Sequence, residues 1–429
     1  MVDLSRLAFR TSAVVSAMAL ALGVGLYSGY KKNALFESVA GLRDTVTEIP
    51  NLLHWRPIRF LRAAAFKGAG VTVNKVKSDD LVLLSGFFGD DQKVELIQRD
   101  GKIVNSWRLL PLSLLPDAKR QCRKPPPTNW NVSAHNTIIQ PDGSIVVSFE
   151  SCGMVKLDRC GRKLWSTTEV THHSPNFLAN GGVVIGGGEL VKHRMPWPFT
   201  SPFWEDTVDK YDANGKLVMR KAATSLFLNN GWAAQLTSST NFDAKIDGEF
   251  HLNEVEELSP ALASAFPMFR AGDLLISYRN LNLLMVTDSG FEKIKWFKVG
   301  PWIRQHDPDW NANGWITVFD NHPDGTEGGK INGGSRIVAV NPATGEAKTL
   351  YGGRKGQTFS TTERGLHQMQ PDGGILITEA YRGRAFQVDP TGQIVWEYVN
   401  RYDDTHTAWI HGAEAWPRSY FTVQDWRCK

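Results

Sequence analysis

The chain has 429 residues, 42% of them hydrophobic and 21% charged, a globular composition with apolar material for a large core that excludes a mainly disordered protein. Its formal charge of +4 is small, and Lys and Arg form no run or stripe that could follow a phosphate backbone, so no nucleic acid partner is expected. With 39 glycines, 21 prolines and 15 tryptophans, it suits short strands and turns, the signature of an all-β protein.

At the N-terminus, Arg6 and Arg10 precede an apolar stretch from Ala13 to about Tyr30, which Lys31 and Lys32 close. This is the pattern of an export signal. Ala19-Leu20-Ala21 offers a cleavage site, but the apolar run continues past it through Val24, Leu26 and Tyr27. About 18 apolar residues just span a bilayer core, so an uncleaved transmembrane anchor over residues 1–33 is expected ahead of a removed signal peptide. The two arginines favour an inside N-terminus, although Lys31 and Lys32 dilute the asymmetry. The expected location is the bacterial inner membrane, single-pass, with the body in the periplasm. Phe36, Val39, Leu42 and Val46 have helical spacing, so Ala34 to about Leu61 reads as a juxtamembrane helix and linker, with the linker running to residue 70.

From Leu81 the period changes, and residues 71–429 read as one β domain. Apolar residues come in strand-sized runs broken by Asp-Gly, Asn-Gly and Pro-Asp-Gly turns. Six segments share a histidine, a short spacer, usually a turn, and a β-rich run. They start at His135, His173, His251, His306, His367 and His411. A second half-repeat ending in a tryptophan usually follows: Leu157 to Trp165, Val286 to Trp296, Val388 to Trp396. Two hairpins per unit make a four-stranded blade, and the spacing predicts a six-bladed β-propeller. Leu81 to Leu110 looks like a blade lacking its first strand, which the strand at His411 would supply, closing the ring. Equivalent residues of innermost strands then form a ring at one mouth of the axis, so the six histidines are expected to converge. His54, His193, His322 and His406 fall outside the pattern and read as surface residues.

Four cysteines in an exported chain allow two disulfides with three connectivities. Cys152 and Cys160 flank a segment that could fold back as a hairpin, which favours a local bridge and leaves Cys122 to pair with Cys428. No CxxC pair or zinc-type Cys/His spacing occurs, and no metal or organic cofactor is expected.

The stretches His251-Leu-Asn253, Leu274 to Asn282, Arg304-Gln-His306-Asp-Pro-Asp309, Val318 to Asn321, Ser335-Arg336, His367 to Gly373, Leu376 to Glu379 and Ile394 to Asn400 resemble the bacterial arylsulfotransferases. The resemblance covers roughly Leu81 to Asn400. It implies a periplasmic six-bladed propeller that moves a sulfuryl group from an aryl sulfate donor to a phenolic acceptor without a nucleotide sulfate. It also implies a histidine nucleophile at His306, with His251, Asn253, Arg279 and His173 around it, His135 being the alternative to His173. The family's threonine position falls on Thr378. His135, His367 and His411 read as substrate-facing or channel-lining residues. Ser174 stands where the family often carries an acidic residue.

The residues suit such chemistry. A neutral imidazole can attack sulfur and be discharged by a second phenol, a ping-pong route. Arg279 and Asn253 would hold the sulfuryl oxygens, and a histidine would move the protons. Trp165, Trp296 and Trp396 read as blade packing, while Trp302, Trp310 or Trp409 could flank a phenol. Two other functions fit less of the sequence. A non-catalytic propeller serving a membrane complex would need no ring of histidines. A quinone-dependent propeller, suggested by Asn341-Pro-Ala-Thr-Gly-Glu346, would carry a tryptophan docking pattern in every blade and vicinal cysteines.

Overall fold

The computed structural model describes residues 4–31, 42, 46, 49–53, 55–123, 125–192, 202–238, 250–326 and 328–428. They fall into two compact units, Met1–Arg59 and Phe60–Lys429. In the first, a helix runs over Leu4–Lys31. Its Met18, Leu20, Leu22 and Leu26 are exposed. Among the described residues no helix is long and apolar enough to cross a membrane. Half of the stretch expected to be helical over Ala34 to Leu61 lies outside the described residues, as do His54 and His193.

The second unit is a six-bladed β-propeller. Blade 1 joins Ile410–Trp416 to Leu81–Phe88, Asp91–Gln98 and Ile103–Arg108, so the last strand of the chain closes the ring as the sequence predicts. Blades 2 to 6 begin with the innermost strands Ala134–Ile139, Val170–Phe177, Leu252–Glu257, His306–Trp310 and Leu366–Met369. Gly70–Asn74 adds a fifth strand to the outer edge of blade 6. Leu61–Ala63 pairs with His406–Ala408, so residues the sequence assigns to the linker belong to this unit.

The Asp-Gly turns work as their chemistry requires. At Pro141-Asp142-Gly143, glycine takes φ 78° and the aspartate accepts the Ser144 N–H at 2.9 Å. Apolar faces of neighbouring blades pack into separate cores, such as Val184, Val208, Leu252, Ile276 and Tyr278 between blades 3 and 4. Tryptophans on the outer strands of blades 1, 2 and 6 fasten each of these blades to the next. Trp107 donates to the Asp158 carbonyl at 2.9 Å, Trp165 to Ala213 at 3.1 Å, and Trp396 to Arg99 at 2.9 Å. Trp165 and Trp396 are thus packing residues, as their spacing suggests.

The disulfides are Cys122–Cys152 and Cys160–Cys428, which corrects the expected pairing. The segment between Cys152 and Cys160 does not fold back. Gly153–Leu157 is an extended blade strand, and at about 3.3 Å per residue it carries the two cysteines too far apart for a bridge.

Candidate active site

A histidine group forms at one mouth of the axis because of a backbone device repeated in five blades. The innermost strands of blades 1 to 5 each carry a register irregularity near their first residues, at Ile410/Gly412, Ala134/Thr137, His172/Asn176, Leu252/Glu254 and His306/Asp309. A bulge re-aims the side chains beside it. His173 and His251 also take left-handed φ values of 65° and 58°, uncommon for residues with a β-carbon. The rings meet. His173 lies with its centroid 4.7 Å from His135, 4.8 Å from His251 and 6.2 Å from His306. His411 sits beside Arg364, its Nδ1 3.3 Å from Nη1.

Blade 6 lacks the bulge and pairs Leu366–Met369 with Ile375–Thr378 in unbroken register. With side chains alternating every residue, the missing insertion leaves its histidine in a different phase. His367 therefore joins a polar layer of its own, its Nδ1 2.8 Å from Asp307 Oδ2 and its Nε2 2.7 Å from Thr317 Oγ1. The expected ring of six is a cluster of His135, His173, His251 and His306 with His411 at its edge, and His367 apart. Thr378 is likewise apart, fully buried on the second strand of blade 6 opposite Leu366. Among the described residues no contact joins His322 or His406 to the cluster.

The tautomer of His306 follows from its neighbours. Asn321 donates through Nδ2 to the carbonyls of Thr361 at 3.0 Å and Arg364 at 2.7 Å, which only accept. Its Oδ1 is thereby turned toward His306 Nδ1, 2.6 Å away, and an amide oxygen requires a proton on that nitrogen. In neutral His306 the Nε2 is then bare. Burial, then the Arg279 cation, push the His306 pKa from an ordinary 6.5 down to about 3, against the opposing pull of the Asn321 hydrogen bond. A neutral imidazole with its Nε2 lone pair free of a proton is a competent nucleophile near pH 7. Burial, then neighbouring cationic groups beginning with Arg364 for His135 and His135 for His173, also lower both of those histidines well below 6.5.

Two buried arginines bracket the cluster. Arg279, on the turn after Leu274–Tyr278, has Nη1 3.5 Å from His251 Nε2 and Nη2 3.4 Å from Glu363. Burial would raise the Glu363 carboxyl, but the Tyr381 hydroxyl and the Arg279 and Arg364 cations hold it below its ordinary value. Arg364 donates to the Ala134 carbonyl, to Ser133 Oγ and to Glu150. Asn253 serves the backbone, its amide donating to the Gln305 carbonyl at 2.7 Å, directly ahead of His306. Trp409 stacks on Tyr381 with centroids 4.3 Å apart near the cluster, whereas Trp302 and Trp310 pack in the core between blades 4 and 5.

Behind the histidines the same innermost strands line a cavity of about 320 Å³ with Glu254, Glu256, Asp307, Asp309, Glu414 and His367. Burial raises the carboxyl pKa of Glu254, Glu256 and Asp309, and that of Glu414 to about 7. Asp307, Asp309 and His367 present ligand atoms within 4.8 Å of one another, a spacing compatible with a metal ion. Both His367 nitrogens are already satisfied by Asp307 and Thr317, so the set is complete without one.

The sequence reading missed Asn321, whose role depends on a fold that brings it against His306. It also missed Arg364, and it missed His172, whose Nδ1 is 2.9 Å from that of His173. The adjacent pair His172-His173 was the one available signal.

Among solved structures the chain is similar to a Bacteroides caccae protein of unknown function (TM-score 0.47, 11% identity, 75% of this chain and 94% of that one). It is also similar to streptogramin B lyase (TM-score 0.41, 12% identity, 80% and 88%) and to the WD40 propeller domain of Doa1 (TM-score 0.42, 10% identity, 85% and 99%). None of these carries an argument about function. No curated protein matches the chain. The model of the family described as arylsulfotransferase (ASST) matches residues 136–401, well over half of the sequence and spanning every histidine of the cluster but His135 and His411. The chain belongs to the arylsulfotransferase family.

Proposed function

We propose that the propeller transfers a sulfuryl group from an aryl sulfate to a phenolic acceptor by a ping-pong, nucleotide-independent route through a sulfohistidine at His306. The observation that carries this reading is the Asn321 amide, fixed by two backbone carbonyls with its oxygen 2.6 Å from His306 Nδ1, which places the proton there and leaves Nε2 of the neutral ring bare. In the first half-reaction Nε2 forms a bond to sulfur, and the S–O bond breaks with its electron pair leaving on the phenolate. In the second, a phenol oxygen bonds to sulfur and the S–N pair returns to His306. Arg279 and His251 stabilise charge on the sulfuryl oxygens, and Asn253 fixes the backbone ahead of the nucleophile. His173 exchanges the phenol proton, while His135 and His411 line the approach.

The propeller also works outside the cytoplasm in this reading, delivered by its N-terminal segment. Two disulfides and no free cysteine among the described residues suit an oxidising compartment. The test is transfer from 4-nitrophenyl sulfate to a second phenol by purified protein without nucleotide, with the sulfated acceptor identified by mass. Arg279→Ala should lower that rate at least a hundredfold. No sulfated product across a panel of donors and acceptors overturns the proposal.

A further inference from the structure

We propose that the acceptor phenol's proton leaves through a two-histidine relay, from His173 to His172, with the resulting charge held by Asp206. This deepens the sulfuryl-transfer reading and rests on it. Both histidines lie on Val170–Phe177, the innermost strand of blade 3, where the bulge and the left-handed backbone at His173 bring their Nδ1 atoms to 2.9 Å.

Hydrogen-bond chemistry fixes where the protons are. His172 Nε2 lies 3.0 Å from the Gly187 carbonyl oxygen, which only accepts, so that nitrogen carries a proton. In neutral His172 the Nδ1 is then bare, and the proton in the 2.9 Å contact belongs to His173. His173 therefore presents a bare Nε2, a base at the centre of the histidine cluster.

As the phenol oxygen bonds to sulfur and the S–N pair returns to His306, the phenol proton passes to His173 Nε2. The Nδ1 proton of His173 moves to His172 Nδ1, and His172 becomes an imidazolium with its Nε2 3.6 Å from Asp206 Oδ1. No ring has to turn. His173 now offers an Nε2–H, the acid that the next leaving phenolate needs, and the reverse transfer in the donor half-reaction resets the pair. Each cycle moves one proton out and one back.

The carboxylate that can hold the positive charge lies beside His172. Burial and the neighbouring His135, His251, His172 and His306 disfavour a cation on His173. His172 faces Asp206 directly, with Glu205, Glu150 and the Arg123 cation lining the same recess and Asp209 on the strand behind. Arg123 lies 5.0 Å above the Trp204 ring in that recess, a space of about 150 Å³ onto which His172, His173 and His251 all face. The seat of His172 is shaped for it, because a β-carbon at Gly186 would fall 2.9 Å from His172 Cε1.

The experiment loads the protein with 4-nitrophenyl sulfate and follows discharge of the sulfated form to two acceptors. One is a phenol un-ionised at the assay pH and the other a nitrophenol already largely ionised. Only sulfated molecules are counted, so misfolded protein does not enter the rates. The relay predicts that His172→Gln lowers the ratio of the un-ionised to the ionised acceptor rate about a hundredfold. Asp206→Asn should lower it in the same direction by about tenfold. Equal slowing of both acceptors, leaving the ratio unchanged, overturns the relay while leaving sulfuryl transfer intact. Failure of the unmutated protein to load overturns the transfer reading and the relay with it.

Discussion

Asn321→Asp turns the amide that fixes His306 into a carboxylate at the same distance from Nδ1, 2.6 Å in the native pair. Two charges about 4 Å apart interact by about 4 kcal/mol at an effective dielectric of 20, which is about 3 pKa units. His306, held at about 3 in the native protein, would rise toward its ordinary value. At pH 5 most of the variant would then carry an imidazolium with no lone pair for sulfur, a loss of about tenfold that recovers by pH 8. The new carboxylate also has no N–H for the Thr361 and Arg364 carbonyls, two hydrogen bonds worth about 1 kcal/mol each, so Tm should fall by a few degrees. The assay is the stopped-flow burst of 4-nitrophenolate from its sulfate, a leaving group that needs no proton, measured between pH 5 and 8. The native burst rate should be flat across that range and the variant's should rise with pH. A native rate that itself falls below pH 6.5, or a variant profile as flat as the native one, refutes the argument.

Four further outcomes follow from the same geometry. The carboxyls raised by burial, Glu254, Glu256, Asp309 and Glu414, hold protons in the folded state that the unfolded chain gives up above about pH 4.5. Their contribution is present at acid pH and is lost as pH rises, for Glu414 through about 7, so above pH 6.5 Tm should decline with pH, and Glu414→Gln should flatten the slope. The depressed histidines His135, His173 and His306 act in the opposite sense and only below 6.5, where the unfolded chain binds protons first; His135→Gln should reduce the loss of stability on acidification. Reduction of Cys160–Cys428, which closes a separation of 268 residues, should cost about 3–5 kcal/mol, read as a lower denaturation midpoint that Cys428→Ser reproduces. Gly186→Ala should displace His172, since its β-carbon would also meet Leu252 Cδ2 at 2.7 Å, and it should mimic His172→Gln in the acceptor ratio.

The blade count, the closing role of the strand at His411 and the meeting of His135, His173, His251 and His306 were legible in the sequence. Asp-Gly and Asn-Gly turns mark hairpin ends by local chemistry, and in blades 2, 3 and 5 the histidine stands eight residues before the turn glycine. What local spacing does not encode is backbone phase. Five blades carry a bulge and blade 6 does not, and that one-residue difference separates His367 from the others. Arg364 reaches another blade, while Asn321 and Asp206 meet His306 and His172 from other strands of their own blades, so no motif points from one partner to the other. Disulfide pairing failed for a related reason, because the segment between Cys152 and Cys160 is as compatible with a hairpin as with the single strand it forms.

In the proposed route His306 carries the sulfuryl group between donor and acceptor. Incubating the protein with 4-nitrophenyl sulfate, quenching at alkaline pH where an N-sulfated imidazole survives, and mapping the mass gain by peptide sequencing tests it directly. One added sulfuryl group is expected on the peptide containing His306, absent in His306→Ala and discharged by added phenol. A sulfuryl group found on another residue, or phenol released at full rate by His306→Ala, would contradict it.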